Sequence, residues 1–395
     1  MELTGVWPPL PIILDRFIYD IDAAIAYHNR ICEINLISLR GWQLKRLAST
    51  MQVQFPALTD LRLHFDDLES PAVLPDGFLS GSAPLLRSLD LHSIPFPGLP
   101  NLLLSATRLV SLTLINIPPS GFSPEKVVTT LAVLTNLKSL IIEFASPPSR
   151  HDPESRRLPP PTRIVLPVLT RLELQVDSKY LEDVLVRVDV PLLDSICITF
   201  FDQHRFDIPQ LARFMRRMTR LQAHNETHVD FYLSREFSCC GIQVGSLPPT
   251  RSSDDKSKLR IISNGSKDGL LSSLAQVCTS FFPSIYMVEH LHFHELPRQW
   301  DYDAENLPWL EIFHPFTAVK SLYLSRDFAR FIAFALQDLI GERVMDVLPA
   351  LESLYLEHLR PRALGSVQEA IGPFVAARQL LGHPVAVSYG KREAL

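Results

Sequence analysis

One phrase of apolar and polar positions recurs along this chain: an apolar residue, two free positions, a second apolar residue, one free position, a third. It reads ICEINL (Ile31, Ile34, Leu36), LTDLRL (Leu58, Leu61, Leu63), LRSLDL (Leu86, Leu89, Leu91) and LVSLTL (Leu109, Leu112, Leu114). It continues as LKSLII (Leu137, Leu140, Ile142), LTRLEL (Leu169, Leu172, Leu174) and LDSICI (Leu193, Ile196, Ile198). A second run holds VEHLHF (Val288, Leu291, Phe293), VKSLYL (Val319, Leu322, Leu324) and LESLYL (Leu351, Leu354, Leu356). The third apolar positions fall 23 to 32 residues apart within each run. Leucine-rich repeats have a period of about 20–29 residues and the core LxxLxL.

Alternate residues of a strand face opposite ways, so both leucines of Leu-x-Leu point inward and the residue between them points out. One such strand cannot bury its apolar face alone, and stacked units share a core. The segments between strands read as helices that cover the leucine side. SPEKVVTTLAVL opens with Ser123 as N-cap and Pro124 at the first helical position. YLEDVLVRV, PQLARFMRRM and DFARFIAFALQDLIG each carry an apolar stripe at helical spacing. The predicted fold class is therefore α/β: a leucine-rich-repeat solenoid, or horseshoe, with a parallel concave sheet and irregular helix-backed repeats. The plainer alternative is an α/β sheet protein with Leu-rich strands.

The organisation follows. Residues 1–52 form an N-terminal cap and first repeat, 53–360 the repeats, and 361–395 a C-terminal cap of one helix and one strand. Within the cap, Ser366 and Glu369 match a capping box that would start the helix, and HPVAVSY reads as a closing strand. Two polar, Pro-rich loops interrupt the repeats at 146–163 and 245–258. Between Ile198 and Phe293 the spacing is irregular, with strand candidates HVDFYL, GIQV and LRII. The position three after the last leucine, where Asn or Cys is usual, holds Asp66, Ile94, Ile117, Ala145, Asp177, Phe201, Asp327 and Leu359 instead. An asparagine ladder is absent, which points to intracellular rather than secreted repeats.

Composition narrows the function classes. A net charge of −5 gives no basic footprint for nucleic acid. Five scattered cysteines without CxxC spacing suggest neither a zinc cluster nor a disulfide framework. With no signal sequence and no apolar run of spanning length, a cytoplasmic or nuclear protein without membrane contact is expected.

The outward positions, in order, are Arg62, Asp90, Thr113, Ile141, Glu173 and Cys197, then His292, Tyr323 and Tyr355. With strands about 4.8 Å apart, His292, Tyr323 and Tyr355 should form a row with His290 and Glu357 beside it. Tyrosine is favoured at binding hot spots, so a protein partner is expected there, with Arg62, Asp90 and Glu173 as further contacts. In EHLHFHE, His290, His292 and His294 share a face near Glu289 and Glu295, and His-x-His can hold zinc. No fourth ligand is evident, and a solvated face is the expectation. Cys239 and Cys240 have no base tied to them, and read as small strand residues. Arg213, Arg216, Arg217 and Arg220 read as a solvated helix face. With no GxGxxG, P-loop, GxSxG or HExxH, neither enzyme activity nor a cofactor or metal is expected.

The phrases LPDGFLSGSAPLLRSLDL, LLLSATRLVSLTL, YLEDVLVRVDVPLLDSICITFF, HPFTAVKSLYLS and GERVMDVLPALESLYL carry a resemblance. From about Trp7 to about Ser388 the chain resembles the F-box and leucine-rich-repeat proteins expanded in mushroom-forming fungi. The resemblance implies a substrate-recognition subunit of a cullin-type ubiquitin ligase, with protein substrate on the concave face. An F-box opens near Leu-Pro-x-Glu-Ile and spans some 45 residues. In LPIIL, Ile13 stands where the acidic residue belongs, and the first repeat strand begins at Ile31. The chain thus looks like the repeat half of such a protein. A Skp-type adaptor and cullin are expected partners only if an F-box lies upstream; otherwise the chain is a stand-alone scaffold or decoy.

Overall fold

The computed structural model describes residues 12–15, 27–66, 72–147, 163–201, 208–218, 228–234, 239–245, 257–264, 288–294, 309–337, 339, 341–357 and 361–389. Most of the loops at 146–163 and 245–258 lie outside these residues, as do Glu295 and Arg220. The chain is a mixed α/β protein of two compact units, Met1–Asp194 and Ser195–Leu395. Among the described residues no helix is long and apolar enough to cross a membrane.

In the first unit, strands β1 (Ile12–Asp15), β2 (Ile31–Leu39), β3 (Asp60–Phe65), β4 (Ser88–His92), β5 (Ser111–Ile117), β6 (Ser139–Phe144) and β8 (Arg171–Val176) lie side by side in chain order. Every pairing among them is parallel. The two-residue strands β7 (Ile164–Val165) and β9 (Val188–Asp189) pair separately. Helices α1 (Gly41–Thr50), α2 (Leu99–Ser105), α3 (Pro124–Leu131) and α4 (Ser178–Leu185) fill the crossovers. The Ser123 hydroxyl accepts from the Lys126 N–H at 3.3 Å, so α3 starts where its cap chemistry predicts. Burial alternates along β4, β6 and β8, with the leucines of each phrase inside. Val127 and Leu131 of α3 and Val184 and Leu185 of α4 line one apolar space with Leu140, Ile142, Leu172 and Leu174.

The repeat extends to the backbone. The first leucine of each phrase donates its N–H three residues back: Leu58 to Phe55, Leu86 to Ala83, Leu109 to Ala106, Leu137 to Leu134, Leu169 to Leu166. One carbonyl then accepts two successive N–H groups from the start of the next strand. Thr59 O takes Arg87 and Ser88, Arg87 O takes Val110 and Ser111, and Val110 O takes Lys138 and Ser139.

The second unit contains β10 (Ser195–Phe200), β11 (His228–Ser234), β12 (Cys239–Gly245), β13 (Ser257–Asn264), β14 (His290–His294), β15 (Ser321–Ser325), β16 (Ser353–Glu357) and β17 (Ala386–Tyr389). The three strand candidates of the irregular segment are strands. The sheet is not wholly parallel, however: the order is β10-β13-β12-β11-β14-β15-β16-β17, with β12 antiparallel to both neighbours. Short connections reverse direction at β11–β12 and β12–β13, whereas a parallel pairing needs a long crossover. From β14 onward the sheet is parallel again. The same paired acceptors return: Glu289 O takes Lys320 and Ser321, and Lys320 O takes Glu352 and Ser353.

Helices α5 (Pro209–Arg217), α6 (Trp309–Phe313), α7 (Arg326–Gln337) and α8 (Pro361–Leu380) complete this unit. Leu211, Phe214 and Met215 of α5 are buried while Arg213 and Arg216 face solvent, as the pattern predicts. Phe293, Trp309, Phe313 and Phe328 form an edge-to-face aromatic core. The last helix departs from expectation. It begins at Pro361, so Ser366 and Glu369 lie within its second and third turns and cap nothing. Their i, i+3 spacing occurs equally inside a helix, and Pro361 suits a first turn. Buried Arg378 donates to Pro349 O at 3.0 Å and Leu351 O at 2.8 Å, tying α8 to the turn before β16.

Candidate functional site

The side of the strands away from the buried leucines displays the residue between the last two apolar positions of each phrase together with its alternate neighbours, and register decides which of them meet. In the first unit the pairings run Arg62 to Asp90, Asp90 to Thr113, Thr113 to Ile141 and Ile141 to Glu173. Much of this row is ionic. Arg62 Nε lies 2.9 Å from Asp90 Oδ2, and Arg171 reaches Glu173 at 2.6 Å along its own strand. Burial, reinforced by the Glu173 charge, holds Glu143 above the usual carboxylate range.

Two histidines complete the ionic group, and both went unremarked in the sequence. His64 and His92 each follow the last leucine of their phrase and are register partners. Their rings stack at 3.7 Å with 19° between planes. Asp90 lies beneath both: His92 Nε2 is 3.0 Å from Oδ1 and His64 Nε2 is 3.4 Å from Oδ2. Burial outweighs the attraction of Asp90 and lowers the His92 pKa below its ordinary value. The recurrence of His at one repeat position, 28 residues apart, was the available signal.

In the second unit the register joins His292 to Tyr323, Tyr323 to Tyr355 and Tyr355 to Ser388. The row expected from the phrase is there, and its rings are nearly coplanar in orientation. His292 and Tyr323 stack at 4.0 Å with 4° between planes, and Tyr323 and Tyr355 at 4.5 Å with 7°. His290 tilts against Tyr323 at 6.4 Å. Glu357, two residues beyond Tyr355, is half-buried at the end of β16. Lys320 Nζ bonds Glu289 Oε1 at 2.7 Å, and this hydrogen bond keeps Glu289 below the usual carboxylate range.

One expectation needs correction. His292 is not on a solvated face: it is fully buried, and Tyr323 and Tyr355 in the same row are half-buried. Alternation assigns a side chain to a face but does not say what covers that face. His294 belongs to β14, but its side chain lies outside the described residues, as does that of Glu295. Among the described residues the group of His, Cys and acidic side chains close enough to share an ion is His64, Asp90 and His92.

Stacked aromatic rings held by flanking strands are a rigid surface that loses little entropy on binding, and tyrosine adds a hydrogen-bonding edge. The arrangement suits recognition of another surface. No protein-family model matches this chain, and no curated protein or solved structure is significantly similar to it.

Proposed function

We propose that this chain is a non-enzymatic protein-interaction module built as a leucine-rich-repeat solenoid, and that it serves as a substrate-recognition subunit of a cullin-type ubiquitin ligase. The recurring N–H pattern before each strand, present in both units, supports the repeat architecture. The observation that carries the binding role is the stacked row His292–Tyr323–Tyr355 on the open sheet face. Tyr323 and Tyr355 are the anchors, with His290 and Glu357 at the edge, and His292 is the buried support beneath them. Arg62, Asp90 and Glu173, on the corresponding face of the first unit, are secondary contacts, where single charges contribute little. The ligase role rests on resemblance to fungal F-box and leucine-rich-repeat proteins and is an analogy of family, not of site.

A second reading is a stand-alone repeat scaffold or decoy without ligase recruitment. It is favoured by Ile12–Asp15, the residues after Leu10-Pro11, which form strand β1 rather than the opening of a helical F-box. Affinity capture of the tagged 395-residue chain, read by mass spectrometry, separates the readings. Recovery of a Skp-type adaptor with a cullin supports the ligase subunit. Reproducible partners without either support the scaffold. A chain that captures nothing above a tag control contradicts both.

A further inference from the structure

The partner-binding reading leaves His64 and His92 unused, and with Asp90, there only a secondary contact, they have the makings of a separate site. Its three side chains come from adjacent parallel strands in fixed register, so their backbones hold them together without a loop. All three ligand atoms lie within 4.8 Å of one another. Two of them, His64 Nε2 and Asp90 Oδ1, are shut off from water and make no hydrogen bond of acceptable geometry. Polar atoms so placed normally find partners. Here they face one another: His92 Nε2 lies 3.0 Å from Asp90 Oδ1 and His64 Nε2 lies 3.4 Å from Oδ2.

We propose that His64, Asp90 and His92 bind a divalent zinc-like ion through His64 Nε2, His92 Nε2 and an Asp90 oxygen. Two imidazoles and a carboxylate are an ordinary donor set for zinc, and three protein ligands leave a fourth position open to water or to a partner's side chain. The two imidazole nitrogens disfavour calcium and magnesium, which prefer all-oxygen shells. Arg62 Nε, 2.9 Å from Asp90 Oδ2, orients the carboxylate as an outer-shell partner does, and turns Oδ1 toward His92 Nε2 at 3.0 Å. Because the rings are near-parallel, their lone pairs run side by side.

The site is separate from the tyrosine row, and its test does not depend on any protein partner. The purified full chain, stripped of metal, is titrated with Zn²⁺ and with Mg²⁺ by calorimetry. One tight Zn²⁺ site per chain and no Mg²⁺ binding are expected. His64→Gln and His92→Gln should each weaken that site about tenfold or more, since even outer-shell losses cost about 10–100-fold. Histidine modification by diethyl pyrocarbonate on the unmutated chain, mapped by mass spectrometry, gives an independent readout should a variant misfold. Zn²⁺ should protect His64 and His92 together. Affinity unchanged in both folded variants, or equal modification of both histidines with and without Zn²⁺, overturns the proposal.

Discussion

The open-face residues around Asp90 and those around Tyr323 occupy the same place in the same strand phrase, yet they carry opposite chemistry. Around Asp90 a carboxylate gathers one guanidinium and two imidazoles. Around Tyr323 three rings stack face to face. In both, a residue meets its neighbour because parallel pairing aligns equal repeat positions. The backbone therefore sets position and spacing, and the side chain alone sets what the position does. Arg62, at the outer edge of the ionic group, can trade its contact for solvent at small cost, because it is 52% exposed and exposed ion pairs contribute about 0–1 kcal/mol. The aromatic row cannot, and so keeps its shape before a partner arrives.

The comparison breaks most sharply at the inward positions, which the account treats as equivalent. Leu89 and Leu322, neighbours of Asp90 and Tyr323, are both fully buried. Alanine at either should cost about 3 kcal/mol, within the 2–5 kcal/mol of such substitutions, measured by denaturant unfolding. A loss below about 1 kcal/mol at one of them would mean that the two regions are not built alike. At the outward positions the effects should diverge. Tyr323→Leu removes a ring stacked on both sides and should cost about 1–2 kcal/mol of stability, since each aromatic contact contributes about 0.5–1.5 kcal/mol beyond its area. Arg62→Ala in metal-free protein should cost about 1 kcal/mol or less in the same assay. A larger loss at Arg62 than at Tyr323 would reverse the assignment of rigid and yielding regions.

The smallest effect tests electrostatics within the ionic region. Glu143 has a raised pKa in the folded chain, from burial and then from Glu173. The folded state thus holds this proton more tightly than the unfolded state. The resulting penalty is absent well below the ordinary carboxylate pKa, grows as pH rises through it, and is complete above the folded value. Glu143→Gln should accordingly stabilise by a few tenths of a kcal/mol at pH 7, within the roughly 0.2–1 kcal/mol range of cross-strand pairs. The gain should vanish in acid.

Much of this arrangement was legible before any coordinates. The phrase Leu-x-x-Leu-x-Leu placed the strands, their inward leucines and the row His292, Tyr323 and Tyr355, because parallel repeats need no information beyond period and alternation. The reversal at Cys239–Gly245 was not legible: alternation marks a strand but carries no direction, and the order β13-β12-β11 is decided by pairing across the sheet. The start of the last helix was misplaced because Ser366 and Glu369 satisfy a spacing that any helical turn also satisfies. His292 was expected in solvent because its phrase says which way it points and not what lies over it. The pairing of His64 with His92 was readable from a shared repeat position. In EHLHFHE the histidines are close in sequence, whereas His64 and His92 are 28 residues apart and meet only through strand register.

The central claim is that the tyrosine row, and not the ionic group, anchors a protein partner. It is tested most directly by titrating a captured partner against three folded chains: unmodified, Tyr323→Ala/Tyr355→Ala, and Arg62→Ala/Glu173→Ala. The account predicts that the tyrosine variant binds at least about 30-fold more weakly, since a hot spot contributes about 2 kcal/mol or more. The charge variant should stay within about fivefold of the unmodified chain, as surface ion pairs contribute about 1 kcal/mol at most. Equal affinity of the tyrosine variant and the unmodified chain would contradict it.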